Sequence, residues 1–287
     1  MRGWFPSFCN RCLSYRPCML DAVIDLVRRV ARDEVLPRFR FSTGSKKADG
    51  TLLSEVDHAA QDALAKGLQS IAPGPVLGEE MSSADQAAAW SSGDNGLWCV
   101  DPLDGTTNFL HGLPFFSISV AYMRSRRTTH GVVYHPMQDE LFAAMRGAGA
   151  TLNGSPLTPR MATVALNDAV AAIESKQLPL PLRLALANRP PYYSMRNWGA
   201  GTLDWCYLAA GRFDVFLHGG QKLWDYAAGA LILEEAGGVL ETIEDQSFWS
   251  TPPWQRSVIA AGNPSTFNAW AAWVRTESSV ASRRTNP

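Results

Sequence analysis

The sequence predicts an α/β (α+β) fold, a layered sandwich. Two amphipathic helical stretches precede a meander of alternating strands in the first half of the chain, and strands alternate with helical stretches in the second. At 287 residues the chain can bury a large core in one or two domains, and no internal repeat is visible. Met161–Asn167 reads as the boundary, with residues 19–162 as an N-terminal α+β half, 163–287 as a C-terminal α/β half, and 1–18 as a disordered extension.

Leu20, Val23, Ile24, Val27, Val30, Ala31 and Val35 recur at three and four, marking a helix that stops before Pro37. Ser42–Gly50 reads as a polar loop. Ser54 to Asp57 has the pattern of a capping box opening a second helix to about Ile71. Pro73, Gly74 and Pro75 break it, and Val76–Leu77 is a short strand delivering Glu79. A second strand, Leu97–Val100, ends at Asp101. Ser117–Met123, Gly131–Tyr134 and Glu140–Ala144 alternate as antiparallel strands, followed by a hairpin-rich stretch, Arg146–Gly154. Its glycines signal turns; no strand-to-helix transition follows that would make a nucleotide loop. Then come strand Ala169–Ile173, a Pro-rich link through Pro181, helix Thr202–Ala210, strand Phe213–Leu217, helix Asp225–Ala236, strands Val239–Glu241 and Val258–Ala261, and a final helix from Pro264.

Hydrophobic residues make up 46% of the chain and the formal net charge is -1, so no basic excess points to a nucleic-acid partner. The longest apolar runs are far short of a membrane span. Five cysteines, an odd count, do not suggest a disulfide framework, and the expected compartment is the cytoplasm. Cys9 and Cys12 have zinc-ligand spacing, but no second pair lies nearby. Met1–Cys18 lacks the apolar core and cleavage site of a signal peptide.

Most of the chemical information lies in short acidic blocks. Glu79 sits in LGEE (77–80), Asp101 and Asp104 in WCVDPLDGTTNF (98–109), and Asp225 in WDY (224–226). With Asp57 they form a candidate hard-cation site. Carboxylates about 4 Å apart repel by about 4 kcal/mol per pair at an effective dielectric of ~20, so a positive charge must fill such a cluster. All-oxygen ligands suit Mg²⁺. Each block alone has a plainer reading: a Pro/Asp/Gly turn, a solvated acidic pair, a helix N-cap. Their combination in order outweighs these.

That combination resembles the inositol monophosphatase family of lithium-sensitive, Mg²⁺-dependent phosphatases. Residues 98–109 are similar to its first signature, W-x-[IV]-D-P-[IL]-D-G-T-x-N-F, and WDYAAGALILEEAGG (224–238) to its second. The resemblance covers roughly residues 20–275. It implies an α-β-α-β-α arrangement of the inositol monophosphatase and fructose-1,6-bisphosphatase type, with the active site where the halves meet. It also implies two or three Mg²⁺ ions, a homodimer and a small phosphorylated metabolite as substrate.

By the same resemblance the metal ligands are Glu79, Asp101, the carbonyl of Leu103, Asp104 and Asp225. Pro102 stiffens the turn that presents Leu103. Asp57 and Thr106 correspond to the pair that activates water, with Glu79 close by, and Lys46 to a loop lysine near the metals. Gly105, Thr106 and Thr107 begin a helix whose unpaired N–H groups make a phosphate seat. Glu80 supports Glu79. Ala200, Gly201 and Thr202 line the substrate pocket, Tyr192, Tyr193 and Trp198 are candidates to wall it, and Arg196 supports structure or a subunit contact. His58, His111, His130 and His135 form no ligand set.

One position departs from the pattern. Where inositol-hydrolysing members carry a glutamate that receives a substrate hydroxyl, seven residues before the second-signature aspartate, this chain has His218. An imidazole offers one donor and one acceptor where a carboxylate only accepts. Either inositol phosphate is not the substrate, or a neighbour such as Gln221 or Asp204 takes over the contact. Histidinol phosphate, 3'-phosphoadenosine 5'-phosphate and fructose 1,6-bisphosphate are the alternatives, the last needing a second phosphate site for which Arg183 and Arg189 are candidates. A non-catalytic regulator that kept the fold is the reading from a different class.

Overall fold

The structure, a computed structural model, describes residues 18–46, 52–158, 162–244, 247–250 and 252–279, with Lys46, Leu52 and Leu53 described by backbone alone. The Cys9/Cys12 pair, Lys47 and residues 1–17 of the expected extension lie outside the described residues.

Helix α1 (Met19–Val30) presents Val23, Leu26, Val27 and Val30 to the core. Its coil does not stop before Pro37: a π turn (Ala31–Val35) and a 3-10 turn (Leu36–Arg38) follow, the proline sitting in the first turn where no N–H is needed. A short strand β1 (Gly44–Lys46) stands within the predicted polar loop and pairs with β2 (Leu52–Ser54), which lies past the loop's predicted end. Helix α2 (Glu55–Ile71) opens with the expected capping box, the Ser54 hydroxyl accepting from Val56 N at 3.2 Å and Asp57 Oδ2 accepting from Ser54 N at 2.7 Å.

Seven strands form one sheet in sequence order: β3 (Val76–Gly78), β4 (Leu97–Asp104), β5 (Ser117–Arg124), β6 (Arg127–His135), β7 (Glu140–Met145), β8 (Gly149–Leu152) and β9 (Ser155–Pro156). Only β3 and β4 run parallel. Helix α3 (Ser83–Ser92), unpredicted because it buries only Gln86 and Ala89, joins them. Helix α4 (Thr106–Leu110) follows β4.

The second half carries β10 (Val170–Glu174), α5 (Leu180–Asn188), β11 (Ser194–Arg196), α6 (Gly201–Ala209), β12 (Val215–Gln221), α7 (Leu223–Glu235), β13 (Val239–Glu241), β14 (Arg256–Ala261) and α8 (Pro264–Ser279). Its five strands are ordered β11-β10-β12-β14-β13. The Pro-rich link proves to be the start of α5, with proline in the first turn, where it is tolerated.

Strand alternation sorts the core into three layers. On one face of the large sheet Trp98, Val100, Val120, Tyr122 and Val132 pack against α1 and α2. On the other, Leu97, Cys99, Ala121, Val133 and Phe142 meet α6 and α7, which in turn meet Phe216, Val258 and Ala260 of the small sheet. The outer face of that sheet, with Ile173, Val215, Leu217 and Ile259, packs against α5 and α8 through Leu182, Leu186, Phe267 and Trp270. The result is the α-β-α-β-α sandwich. Helix α7 is apolar nearly all round because it lies between two sheets, and ten of its residues are buried.

Candidate active site

Parallel pairing of β3 with β4 sets Gly78 opposite Val100, so Glu79 and Asp101 leave neighbouring strand ends side by side. Strand β4 runs past Val100, where its end was predicted, to Asp104. It contains a bulge: Asp101 pairs with Ser119 and Asp104 with Ser117, three residues spanning two. The bulge accommodates Pro102, which cannot donate to a ladder. It also lets Asp101 Oδ1 accept from Leu103 N at 3.1 Å.

Asp225 reaches the same place from the second half. At the start of α7 its Oδ2 accepts from Lys222 N at 2.8 Å. Asp104 is the tie between halves, its Oδ2 accepting from Thr202 N (2.7 Å) and Thr202 Oγ1 (2.6 Å) at the start of α6. Thr202 is fully buried and holds Asp104; it does not line the cavity as predicted.

The charges act on one another. Burial, then Glu79, Asp104 and Asp225, push the Asp101 carboxyl well above its ordinary range, with Leu103 N–H pulling back. Burial, then Asp104 and Glu79, do the same to Asp225. Asp104 rises to about 6, raised by burial, restrained by the Thr202 hydroxyl and N–H, and raised again by Glu79. Four carboxylates from three elements therefore share one field. Among the described residues no three His, Cys, Asp or Glu side chains stand closed around a common point. One oxygen each of Asp101, Asp104 and Asp225 is instead bonded to a nearby N–H. The donor set, carboxylates and a backbone carbonyl, fits a hard cation such as Mg²⁺.

Asp57 stands behind this group, fully buried, with Oδ2 also accepting from Ser54 Oγ at 2.6 Å. Thr106 Oγ1 points its hydrogen at Asp57 Oδ1 (3.1 Å) and the Leu103 carbonyl (3.0 Å). Gly105 has φ 88°, and a Cβ there would lie 3.0 Å from Phe115 O, so the turn into α4 requires glycine. Thr107 is exposed one residue beyond Thr106. Lys46 closes β1, and its side chain lies outside the described residues.

A cavity of about 860 Å³ opens beside the carboxylates, lined by Glu79, Glu80, Asp104 and Asp225 together with Ala200, Gly201, Glu174 and His218. His218 pairs in register with Glu174 of β10. Its Nδ1 accepts from Gly220 N at 3.0 Å. Burial first, opposed by Glu174, lowers its pKa to about 4, so the ring is neutral and Nε2 carries the hydrogen. At this position the pocket has a donor where a carboxylate would accept.

Trp198 does not wall this cavity. It lines a neighbouring aromatic concavity with Phe115 and Tyr207, while Tyr192 packs on Trp270 and Tyr193 is 78% exposed. Arg196 bonds locally to Ser194 Oγ and Met195 O. Arg189 pairs with Glu277, and neither it nor Arg183 lines the cavity. Glu174, on the strand next to His218, is one of the pocket residues that sequence reasoning missed, because parallel pairing of β10 with β12 leaves no local signal.

The fold and the seam define a class: a two-sheet α/β sandwich with acidic residues of both halves converging at the junction. The family model of the inositol monophosphatase family matches residues 18–279. A "Nus factor SuhB" of Pasteurella multocida is 36% identical over 203 residues, 68% of this chain and 73% of that protein. An "Inositol-1-monophosphatase" of Rhizobium meliloti is 35% identical over 263 residues, 85% and 90%. Among solved structures, the Thermotoga maritima IMPase superposes with a TM-score of 0.77 at 27% identity, covering 90% of this chain and 97% of that one. The chain belongs to the inositol monophosphatase family.

Proposed function

We propose that the protein is a Mg²⁺-dependent phosphomonoesterase acting on a small polyol or sugar phosphate. The observation that carries this reading is a group of four acidic residues, Glu79, Asp101, Asp104 and Asp225, in which burial first and acidic neighbours next raise the three aspartates, beside a polar cavity that Glu79, Asp104 and Asp225 line. Glu79, Asp101, the Leu103 carbonyl, Asp104 and Asp225 would hold the ions, two or three in number. Bound Mg²⁺ supplies charge neutralisation of the ester and a lowered pKa for water.

The chain's own contribution is orientation. With its hydrogen committed to Asp57 and Leu103, Thr106 Oγ1 offers its lone pairs to the attacking water. Asp57, engaged on both oxygens and fully buried, acts through Thr106 as a positioning residue. Gly105, Thr106 and Thr107 offer backbone N–H groups to the phosphate, and Lys46 is assigned beside it. Ala200, Gly201 and His218 face the alcohol part.

Phosphate release from p-nitrophenyl phosphate, with Mg²⁺ and in excess chelator, tests the proposal; full activity in chelator would sink it. Fructose 1,6-bisphosphate loses support, since Arg183 and Arg189 lie away from the cavity. A regulatory role is the second reading, favoured by the name "Nus factor SuhB" on relatives as similar as the named phosphatases. Such a role predicts no turnover in the same assay. The expected homodimer belongs to this proposal and is checked by light scattering. No helix among the described residues is long and apolar enough to cross a membrane; the cytoplasm remains the proposed compartment.

A further inference from the structure

Two buried polar atoms of residues that line the cavity have no partner among the described residues. Asp204 of α6 is 6% exposed and Gln221 at the end of β12 is 1% exposed, yet Asp204 Oδ1 and Gln221 Nε2 make no hydrogen bond. Both residues line the cavity that begins at Asp104 and Asp225. The orientation of the Gln221 amide is fixed: Trp205 Nε1, which can only donate, bonds to its Oε1 at 2.9 Å. The amide nitrogen is therefore turned the other way. A Cβ on Gly201 would come within 2.7 Å of it, so the glycine at the start of α6 leaves this nitrogen room.

A buried donor and a buried acceptor left unmade are costly, and native proteins rarely keep them without a ligand or water to complete them. Here one atom accepts and the other donates, and they do not bond to each other. A hydroxyl both donates and accepts, so a polyol suits the pair where a bare alkyl or aryl ester does not. We propose that Asp204 and Gln221 form a hydroxyl-recognising subsite for the alcohol part of the substrate, one hydroxyl donating to Asp204 Oδ1 and the same or its neighbour accepting from Gln221 Nε2. This rests on the phosphomonoesterase reading and places polyol recognition on the wall beside His218, whose ring adds a second donor. The pair compensates for the acceptor missing at His218.

The test compares inositol 1-phosphate with cyclohexyl phosphate, the same ring without hydroxyls, in Mg²⁺. Gln221→Met removes the donor and Asp204→Leu the acceptor, each at similar volume and without adding a charge. Each variant is expected to lower the ratio of kcat/KM for inositol 1-phosphate over cyclohexyl phosphate about tenfold. An unchanged ratio in variants that melt close to wild type overturns the proposal and assigns the two atoms to bound water. Should a variant fail to fold, the wild-type ratio decides: a value near one overturns it. If the wild-type protein hydrolyses neither ester, the phosphatase reading falls separately, and calorimetric affinities for the same two esters read the subsite, equal values overturning it.

Discussion

Two groups of residues meet at the cavity: Asp101, Asp104 and Asp225, raised by burial and by acidic neighbours that include Glu79, and His218, lowered by burial to about 4, with Asp204 and Gln221, each keeping one buried atom without a partner among the described residues. The first is a concentration of acidic groups that a bound cation would relieve. The second is a set of directional donors and acceptors that a polar ligand would complete. The difference separates two tasks: the carboxylate end would carry the reaction, and the far wall would choose the alcohol.

The largest effect should come from the carboxylate end. Asp101→Asn removes the charge of a proposed ligand without changing shape, and loss of several kcal/mol of charge stabilisation should lower kcat/KM roughly 1,000-fold for every ester alike. Steady-state kinetics on p-nitrophenyl phosphate would show it, and a loss confined to polyol esters would break the division of labour. Thr106→Ala should lower kcat about 100-fold with KM little changed, since the hydroxyl meets the water more than the bound ester. A kcat within twofold of wild type would remove Thr106 from the reaction.

At the far wall the effects are smaller. His218 has its folded pKa depressed from 6.5 to about 4. Its unfolded form binds more protons below pH 6.5, so its contribution to stability is present above that value and is lost as pH falls toward 4. Between pH 7 and 5.5 wild type should lose about 1 kcal/mol more than His218→Gln in urea unfolding. Equal losses would mean that the ring is not held neutral. Smallest of all, His218→Glu should favour inositol 1-phosphate over glycerol 2-phosphate only about threefold, because the new carboxylate would stand beside Glu174, its register partner. A shift of a hundredfold would show that Glu174 does not oppose it.

The carboxylate end was legible in the sequence because its residues lie in contiguous blocks, WCVDPLDGTTNF and WDYAAGALILEEAGG, whose chemistry demands them together. Even there the bulge at Pro102 was missed, since the strand was ended at Val100. Helix α5 was hidden by proline spelling its first turn, and α3 by a weak apolar face. Glu174 was illegible because it meets His218 through pairing of strands 44 residues apart in sequence. Trp198, read as a pocket wall, instead packs edge-on against Phe115, a contact no local pattern announces.

The central claim, that the carboxylate cluster is a cation site, is tested most directly by thermal unfolding of wild type and Asp101→Asn with and without Mg²⁺. In chelator the variant should melt above wild type, because a buried repelling charge is gone. Saturating Mg²⁺ at about 100 times Kd should add about 2.7 kcal/mol to wild type, several degrees in Tm, and much less to the variant. A wild-type Tm unmoved by Mg²⁺, or a variant that gains as much as wild type, would contradict the account.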